Sequence, residues 1–195
     1  WSTGPVPELH RQPVASGEAM HCQVVPSGPA DRLETSSLFF VTAINAAQQR
    51  VWLTTPYFVP DEAVFSALRL AVLRGVDVRI LIPDRADHRV VFEATTSYAF
   101  EAARSGINVY RYQHGFVHQK VVLIDDSAAA VGSANLDNRS FRLNFEIMLL
   151  TVDRAFADDV AFMLTHDFEH ATLLNKDEFR TIPKWRQIVM RVARL

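Results

Sequence analysis

From about residue 21 onward, short apolar runs alternate with stretches in which apolar side chains recur at helical spacing. The apolar runs are rich in β-branched residues, which is typical of buried strands. Strands are predicted over residues 21–25, 51–55, 76–82 and 107–112. Helices are predicted between them over residues 33–49, from a cap at Asp61 to a stop at Gly75, and over residues 90–104.

Three predicted strands follow one another closely in the second part of the chain, over residues 118–124, 128–132 and 144–152. A long helix is predicted after them, over residues 155–174. Strands that first alternate with helices and then run together are typical of a mixed sheet that helices cover on both faces. The predicted fold class is therefore α/β, with a mixed β-sheet sandwiched between helices in α-β-α layers.

The chain divides into three predicted segments. Residues 1–17 are rich in Pro, Gly and polar side chains, which predicts a linker or an exposed approach. Residues 18–174 predict one domain, because 195 residues with 49% hydrophobic content suffice for one substantial core. Residues 175–195 predict a basic amphipathic tail. Because the sequence begins with Trp1 rather than Met, we expect it to be a fragment or a processed form.

The composition of the sequence limits the kinds of binding site and of segment that the chain can contain. The single cysteine, Cys22, excludes an internal disulfide and a multi-cysteine zinc site. A formal net charge of −2 gives no broad attraction to nucleic acid. No apolar run is as long as the roughly 18 residues that predict a membrane span. His166 and His170 share a predicted helical face and could bind zinc, although a solvated helix surface explains them and no third ligand is evident.

Polar side chains occur within the apolar strands of the second part of the chain. Side chains alternate along a strand, so His118 and Lys120 are predicted to project to one face and Asp125 to the other. Ser133 and Asn135 are also two residues apart, and they could bring a hydroxyl and a carboxamide toward the same point.

Glu146 places a carboxylate in the polar row of the last predicted strand, which is costly unless another group pairs with it. It could pair with His118, hold the imidazole in one tautomer and favour its protonated form. Alternatively, it could form a structural bridge with Arg139 or Arg142.

Together these groups could surround an anion whose charge is spread over several oxygens, as in a phosphoryl group during transfer. Such chemistry needs neither a metal nor a nucleotide-binding loop. A neutral imidazole can attack phosphorus, and a protonated one can give a proton to a departing alkoxide. Doing both to one diester requires two histidines on opposite sides of the phosphorus, and the sequence has one His-x-Lys stretch.

The spacing of these polar residues resembles the signature of the phospholipase D superfamily. The matching sequence is His118-x-Lys120-x-x-x-x-Asp125, six residues, then Gly132-Ser133-x-Asn135. Residues 54–61, 132–140 and 144–146 further resemble the C-terminal half of bacterial cardiolipin synthases. The likeness covers roughly residues 22–195.

The resemblance implies one lobe of a pseudo-twofold pair, in which each half supplies one histidine, lysine and asparagine to a shared site. It implies a phosphatidyltransferase that condenses two phosphatidylglycerol molecules to cardiolipin and glycerol through a phosphohistidine intermediate, with no metal and no cofactor. By this resemblance His118 is the general acid/base, and Lys120 and Asn135 bind phosphate. Ser133 assists them, and Glu146 orients a histidine.

Three further residues receive roles. Asp125 belongs to the signature, but strand alternation places it on the far side from His118, so we predict a structural role for it. Tyr57 could be a wall of the lipid site, which we favour, or a core aromatic. Asn144 is predicted to bind substrate beside Glu146.

The resemblance also implies partners and a location. The partners are phosphatidylglycerol and an anionic membrane surface, together with a missing N-terminal half that carries the second motif. Two copies of the chain could instead pair as a homodimer, and no nucleic-acid partner is expected. The implied location of the full-length protein is the bacterial inner membrane.

The predicted tail contains a short amphipathic helix, in which apolar residues recur at helical intervals among basic ones. These apolar residues are Trp185, Ile188, Val189, Val192 and Leu195. The helix could lie on anionic lipid or pack on the missing half.

Two other functions remain open on the sequence. Water or a nucleic acid could replace the acceptor lipid, which would make the protein a phospholipase or a nuclease of the same superfamily. The isolated chain could also be a lipid-binding or interaction module without turnover, because it has one of the two expected motifs.

Overall fold

A mixed β-sheet organises residues 20–85 and 87–194, which are the part of the chain that the computed structural model describes. The predicted linker, residues 1–17, and Leu195 of the tail lie outside these described residues. The strands of the main sheet are β1 (His21–Ser27), β2 (Arg50–Thr54), β4 (Asp77–Pro83), β5 (Asn108–Tyr112), β6 (Val121–Ile124), β7 (Ala128–Gly132), β9 (Glu146–Val152) and β10 (Ala171–Leu173). Two shorter strands, β3 (Phe58–Val59) and β8 (Leu136–Asp137), form a separate parallel pair.

Helices account for most of the remaining described chain. They are α1 (Thr35–Ala46), α2 (Glu62–Leu73), α3 (Arg89–Arg104), α4 (Asn138–Arg142), α5 (Arg154–Glu169) and α6 (Lys184–Val192), with a 3₁₀ helix at Lys176–Thr181. The order of strands across the main sheet is β1-β9-β7-β6-β2-β4-β5-β10. Strands β2, β4 and β5 are parallel, and the other pairs are antiparallel. The predicted α/β class with a mixed sheet between helices is confirmed.

Two hydrophobic clusters lie on opposite faces of the sheet. The larger cluster includes Phe40 of α1, Leu68 of α2 and Phe100 of α3, all nearly inaccessible to solvent. The smaller one includes Leu164 and Phe168 of α5. Because burial of apolar side chains is the dominant stabilising contribution, this division fixes the sheet between two helical layers.

Local capping explains where several helices begin and end. The side chain of Asp61 accepts a hydrogen bond from the backbone N–H of Val64 at 2.8 Å, which confirms the predicted cap of α2. Gly75 and Gly106 follow α2 and α3 with φ values of 85° and 90°, a left-handed conformation that glycine adopts without a Cβ penalty. Both helices therefore end where the sequence indicates.

Several predicted boundaries were wrong. Residues 118–120 precede β6 rather than form part of it, so the strand begins at Val121. The predicted helix 155–174 ends at Glu169, because residues 171–173 pair as an antiparallel edge strand with β5. Strands β3 and β8 and the short helix α4 were not predicted, since two to five residues are too few to show a period.

The tail helix α6 packs on α3 of the same domain. Arg186 forms an ion pair with Glu93 at 3.0 Å, and Arg194 forms one with Glu101 at 2.6 Å. Met190 is fully buried. The sequence left open whether this helix lies on anionic lipid or packs on the missing half, and it did not predict these contacts with α3.

Among residues 20–85 and 87–194, no helix has both the length and the apolar content that crossing a bilayer requires.

Candidate active site

The ends of three adjacent strands bring the polar residues of the second part together. Lys120 immediately precedes β6, and its carbonyl oxygen accepts a hydrogen bond of 3.1 Å from the backbone N–H of Gly132, the last residue of β7. Ser133 follows β7, and its backbone N–H donates to the carbonyl of Ile147 in β9 at 2.9 Å. The backbone ladder therefore places the His-x-Lys stretch, the Gly-Ser-x-Asn stretch and the start of β9 at one edge.

His118 and Lys120 are in direct contact. The Nζ of Lys120 lies 3.0 Å from Nδ1 and 3.3 Å from Nε2 of His118, and it donates to the carbonyl oxygen of His118 at 2.8 Å. An ammonium group only donates hydrogen bonds, so a hydrogen bond between the two side chains requires an imidazole nitrogen that carries no proton. His118 is exposed, whereas Lys120 is buried. The pair therefore presents an accessible imidazole backed by a buried cation.

Burial also changes the acidity of Lys120. Desolvation lowers the pKa of its ammonium below the ordinary value, and the negative charges of Glu146 and Asp137 act in the opposite direction. These two carboxylates are therefore close enough to influence the charge at Nζ.

The carboxylate of Glu146 is held by three side-chain donors. Ser133 Oγ donates to Oε2 at 2.5 Å, while Ser140 Oγ at 2.8 Å and Asn144 Nδ2 at 3.0 Å donate to Oε1. The Oγ of Ser133 also accepts a hydrogen bond of 3.0 Å from the backbone N–H of Ile147. Hydrogen bonds to a charged acceptor are stronger than those between neutral groups, so this network fixes Ser133 and Asn144 in place.

Among the described residues, none of the three predicted partners of Glu146 forms a hydrogen bond or an ion pair with it. Within the described residues, no hydrogen bond joins its carboxylate to His118, and no ion pair joins it to Arg139 or Arg142. Arg142 instead pairs with Glu34 at 3.0 Å. The physical reason is that the serine hydroxyls and the Asn144 amide lie nearer and already satisfy both carboxylate oxygens.

Asn135 has an unused hydrogen-bonding group. Its Oδ1 is buried and has no hydrogen-bond partner among the described residues. Its backbone N–H donates to Ser140 Oγ at 3.0 Å, so the same hydroxyl joins Asn135 to Glu146. A buried polar atom without a partner is costly. Because Oδ1 only accepts, it offers a contact to a hydroxyl of a ligand, whereas a phosphate oxygen requires the Nδ2 group of the same amide.

Asp137 and Ser140 belong to this cluster, although sequence reasoning missed both. Asp137 is 9% exposed and caps α4, since its Oδ1 accepts from the backbone N–H of Ser140 at 2.7 Å. Burial raises the pKa of the Asp137 carboxyl. The signal that could have found it is an aspartate at the position that precedes a short helix, where side-chain oxygens bind free N–H groups.

Tyr57 lies at one side of the cluster. The parallel register pairs Phe58 with Leu136, so the preceding residues, Tyr57 and Asn135, lie alongside each other. Thr55 Oγ1 fixes this arrangement, because it accepts from the backbone N–H of Leu136 at 3.2 Å and donates to the carbonyl of Tyr57 at 2.8 Å.

The phenol of Tyr57 is half-buried and donates a hydrogen bond to the carboxylate of Asp87. Partial burial and this carboxylate raise the pKa of Tyr57 to about 12. The phenol therefore stays protonated throughout the neutral range.

Asp125 lies at the opposite end of β6. Its carboxylate accepts hydrogen bonds from the backbone N–H groups of Gln48 at 3.0 Å, Gln49 at 2.8 Å and Arg50 at 2.9 Å. Partial burial opposes ionisation, but these backbone donors outweigh it and hold the pKa of Asp125 below its ordinary value. The residue joins the turn after β6 to the loop before β2.

His166 on α5 and His170, which follows this helix, do not assemble a metal site with other described residues. The part of the chain that the structure describes contains no group of three or more His, Cys, Asp or Glu side chains arranged to hold a metal ion. The Nδ1 of His170 instead lies 2.8 Å from the carbonyl oxygen of His166, one helical turn earlier.

The arrangement as a whole is suited to an oxyanion. It combines an exposed imidazole, a buried ammonium and a carboxamide at one edge of a rigid sheet, where Ser133 donates its hydroxyl proton to Glu146. Preorganised donors of this kind stabilise charge that develops on a transferring phosphoryl group.

Solved structures share the fold. A phospholipase D family member, Nuc, from Salmonella typhimurium superposes with a TM-score of 0.70 at 21% identity, over 80% of this chain and 99% of that protein. The phosphatidylserine synthase of Haemophilus influenzae Rd KW20 also superposes with a TM-score of 0.70, at 18% identity, over 92% of this chain and 46% of that protein.

Relatives found by sequence comparison share a higher identity with this chain than these solved structures do. Cardiolipin synthase A of Pseudomonas putida strain GB-1 is 59% identical over 195 residues, and that of Pseudomonas aeruginosa strain LESB58 is 60% identical over 195 residues. The chain spans 41% and 40% of the lengths of these two relatives. The family model described as "Cardiolipin synthase, PLD-like domain" matches residues 40–170, which is more than half of the chain. The chain therefore belongs to the phospholipase D-like domain family of cardiolipin synthases.

Proposed function

We propose that this chain forms one half-site of a phosphatidyltransferase that condenses two phosphatidylglycerol molecules to cardiolipin and glycerol. The similarity to cardiolipin synthase A supports the reaction class. The observation that carries the proposal is the exposed imidazole of His118, 3.0 Å from the buried Nζ of Lys120, at the sheet edge that also holds Asn135.

In the first step, a histidine of the second motif attacks the phosphorus of one phosphatidylglycerol. A nitrogen–phosphorus bond forms, the phosphorus–oxygen bond to the terminal glycerol breaks, and protonated His118 gives a proton to the departing alkoxide. The lipid remains as a phosphatidyl-histidine intermediate. Catalysis by two histidines requires them on opposite sides of the phosphorus, so His118 and its counterpart come from different halves.

In the second step, His118 acts as the base. Its neutral imidazole takes the proton from a hydroxyl of a second phosphatidylglycerol, and the hydroxyl oxygen attacks the phosphorus. The nitrogen–phosphorus bond breaks, which releases the first histidine and yields cardiolipin. The proton that His118 gave in the first step is restored in the second.

The other site residues bind and orient. Lys120 and Asn135 bind the nonbridging phosphate oxygens, and Ser133 assists them at the same edge. Asn144 and Tyr57 bind the rest of the substrate, with Tyr57 as one wall. Because the carboxylate of Glu146 makes no hydrogen bond to His118 within the described residues, we assign it to orienting the histidine of the second motif.

The sequence contains one His-x-Lys stretch, so the second histidine has to come from another part of a longer protein or from another copy. This chain spans about two fifths of the length of its relatives, so the missing N-terminal half or a second copy would supply the other histidine. The presence of one His-x-Lys stretch favours a second candidate for the isolated chain, which is a lipid-binding module without turnover.

The test uses phosphatidylglycerol labelled in its acyl chains. The chain is assayed alone and after it replaces the matching C-terminal part of the Pseudomonas putida cardiolipin synthase A. Cardiolipin as the product supports the proposal, phosphatidic acid indicates hydrolysis, and no product from either form indicates a binding module.

In an active form, His118→Gln should abolish turnover, whereas the control His166→Gln should not, because His166 is an exposed residue on α5. Normal turnover of the His118 variant would remove that residue from the mechanism.

A further inference from the structure

Helix α6 turns its apolar side away from the domain on which it packs. Trp185, Ile188 and Val192 are 67%, 62% and 60% exposed, whereas Met190 is fully buried. The contacts of α6 and the residues just after it with α3 include the ion pairs of Arg186 with Glu93 and of Arg194 with Glu101. A helix that served only to cover α3 would direct its apolar stripe inward.

The exposed apolar side chains are contiguous with the first turn of α3. Val90, which is 69% exposed, lines one shallow groove of about 940 Å³ together with four apolar residues of α6. We call this set the α3–α6 patch, and its members are Val90, Trp185, Ile188, Val189 and Val192. Contiguous exposed apolar surface is typical of an interaction site rather than of a solvated helix.

Unpaired positive charge surrounds the patch. Arg89, Lys184 and Arg191 are exposed, and none of them forms an ion pair with another described residue. Glu93 and Glu101, the two acidic residues of α3, are already engaged by Arg186 and Arg194. An apolar face flanked by free cations complements a surface with an anionic layer above an apolar one.

The patch begins at the same end of the domain as the candidate active site. Tyr57 lies alongside Asn135 and donates a hydrogen bond to Asp87, three residues before Val90. The two ion pairs are eight residues apart on both sides, from Glu93 to Glu101 on α3 and from Arg186 on α6 to Arg194 just after it. Helix α6 therefore runs parallel to α3. Trp185, at the start of α6, is therefore near the site end of α3.

From this arrangement we infer that the α3–α6 patch is a bilayer-contact surface. Helix α6 lies in the interface of an anionic phospholipid membrane, with Trp185 and the aliphatic side chains among the upper acyl chains and with Lys184, Arg191 and Arg89 at the headgroups. The active-site edge then faces the membrane from which a phosphatidyl substrate comes. This last point rests on the proposed function, whereas the binding surface itself does not.

The test measures sedimentation of the chain with vesicles of phosphatidylglycerol and phosphatidylcholine in equal amounts, and with vesicles of phosphatidylcholine alone. We expect stronger binding to the anionic vesicles, and a blue shift of tryptophan emission that Trp185→Phe removes. The double variant Trp185→Ser with Ile188→Ser should lower the vesicle affinity at least about tenfold.

A matched control replaces exposed apolar residues elsewhere. Phe162 on α5 and Leu73 at the end of α2 are 80% and 84% exposed, so Phe162→Ser with Leu73→Ser removes as much exposed apolar surface away from the patch. This control should bind vesicles as the unmodified chain does. A second variant, Lys184→Glu with Arg191→Glu, should lower affinity for the anionic vesicles by at least about tenfold, whereas Arg154→Glu on α5 should not.

Affinities of both patch variants within twofold of the unmodified chain, with unchanged thermal unfolding, would overturn the inference. So would a concentration-dependent dimer, without vesicle binding, that the patch variants dissociate, because it would assign the patch to a second copy of the chain. Vesicle binding requires no turnover. If the chain binds through the patch, but the hybrid in which it replaces the matching part of the Pseudomonas putida cardiolipin synthase A makes neither cardiolipin nor phosphatidic acid, the result would contradict the proposed function alone.

Discussion

The Nζ of Lys120 lies 3.0 Å from Nδ1 of His118 and 2.8 Å from the His118 carbonyl oxygen. A buried ammonium thus fixes the position of an exposed imidazole two residues away. Lys120 therefore affects both the candidate site and the stability of the fold: it orients His118, but burying its positive charge costs free energy.

Lys120→Met should stabilise the fold and remove activity. The variant should raise the free energy of unfolding at neutral pH by about 1 kcal/mol, since it replaces a desolvated cation with an apolar side chain of similar length. The measurement is denaturant unfolding by circular dichroism, alongside the transfer assay.

The advantage of that variant should shrink as the pH approaches about 10. Because desolvation lowers the pKa of Lys120 in the folded chain, the unfolded chain binds more protons between the two pKa values, and stability of the unmodified chain rises with pH there. A variant that is less stable than the unmodified chain at pH 7 would contradict this account.

Asp125→Ala should destabilise the fold but leave the geometry of the candidate active site unchanged. Loss of an acceptor for three backbone N–H groups should cost about 3 kcal/mol. Asp125 also has a φ of 52°, a conformation that asparagine tolerates better than alanine, so Asp125→Asn should cost distinctly less. Thermal and denaturant unfolding of the two variants provide the comparison.

The effect of Asp125 should depend on pH in a defined direction. Because its pKa is held below the ordinary value, its stabilising contribution is fully present above about pH 4 and is lost as the pH falls through the folded pKa. Equal destabilisation by Asp125→Ala at pH 7 and at pH 2 would argue against the ionised carboxylate as the source.

Gly132→Ala should disrupt the junction of β7 and β9. A Cβ at this position would lie 2.1 Å from the carbonyl oxygen of Ile147 and 2.8 Å from the Cα of Met148, both backbone atoms that cannot move aside. We expect a loss of about 3 kcal/mol or more in the free energy of unfolding. Gly75→Ala is the control, since no atom lies within 4 Å of its Cβ position and only its φ of 85° carries a penalty. Similar losses in the two variants would show that sterics at Gly132 are not the cause.

Glu146→Ala should destabilise the site more than Glu146→Gln. Alanine leaves Ser133, Ser140 and Asn144 without their acceptor, whereas glutamine keeps one oxygen and a shape that fills the space. We expect a cost of about 2 kcal/mol for alanine and less for glutamine in denaturant unfolding. The exposed Glu169 on α5 provides the control, and Glu169→Ala should be close to neutral.

The periodicity of apolar residues in the sequence predicted much of the fold, and the spacing of polar residues predicted part of the candidate site. Strand alternation predicted that His118 and Lys120 share a face, and the two do meet, but in a segment that precedes β6. Their contact depends on the Lys120 side chain reaching back to the His118 carbonyl. The same argument placed Asp125 across the strand, whereas the length of β6, about 13 Å, is what separates it from the site.

Other features of the structure depend on contacts between residues that are distant in the sequence, which the local sequence pattern does not predict. The edge strand β10 forms because residues 171–173 meet β5, and the sequence there continues a helical pattern that the pairing overrides. Ser140 and Asp137 enter the site through the turn into α4, a helix too short to predict. The outward apolar side of α6 likewise follows from where Glu93 and Glu101 lie on another helix.

The position of Asp125 has a consequence for how this domain tolerates change. One short strand carries its anchor at one end and its reactive groups at the other, so the two can vary separately. Substitutions around His118 would then leave the thermal stability of the domain unchanged, and substitutions near Gln49 would change that stability while the geometry around His118 stays the same.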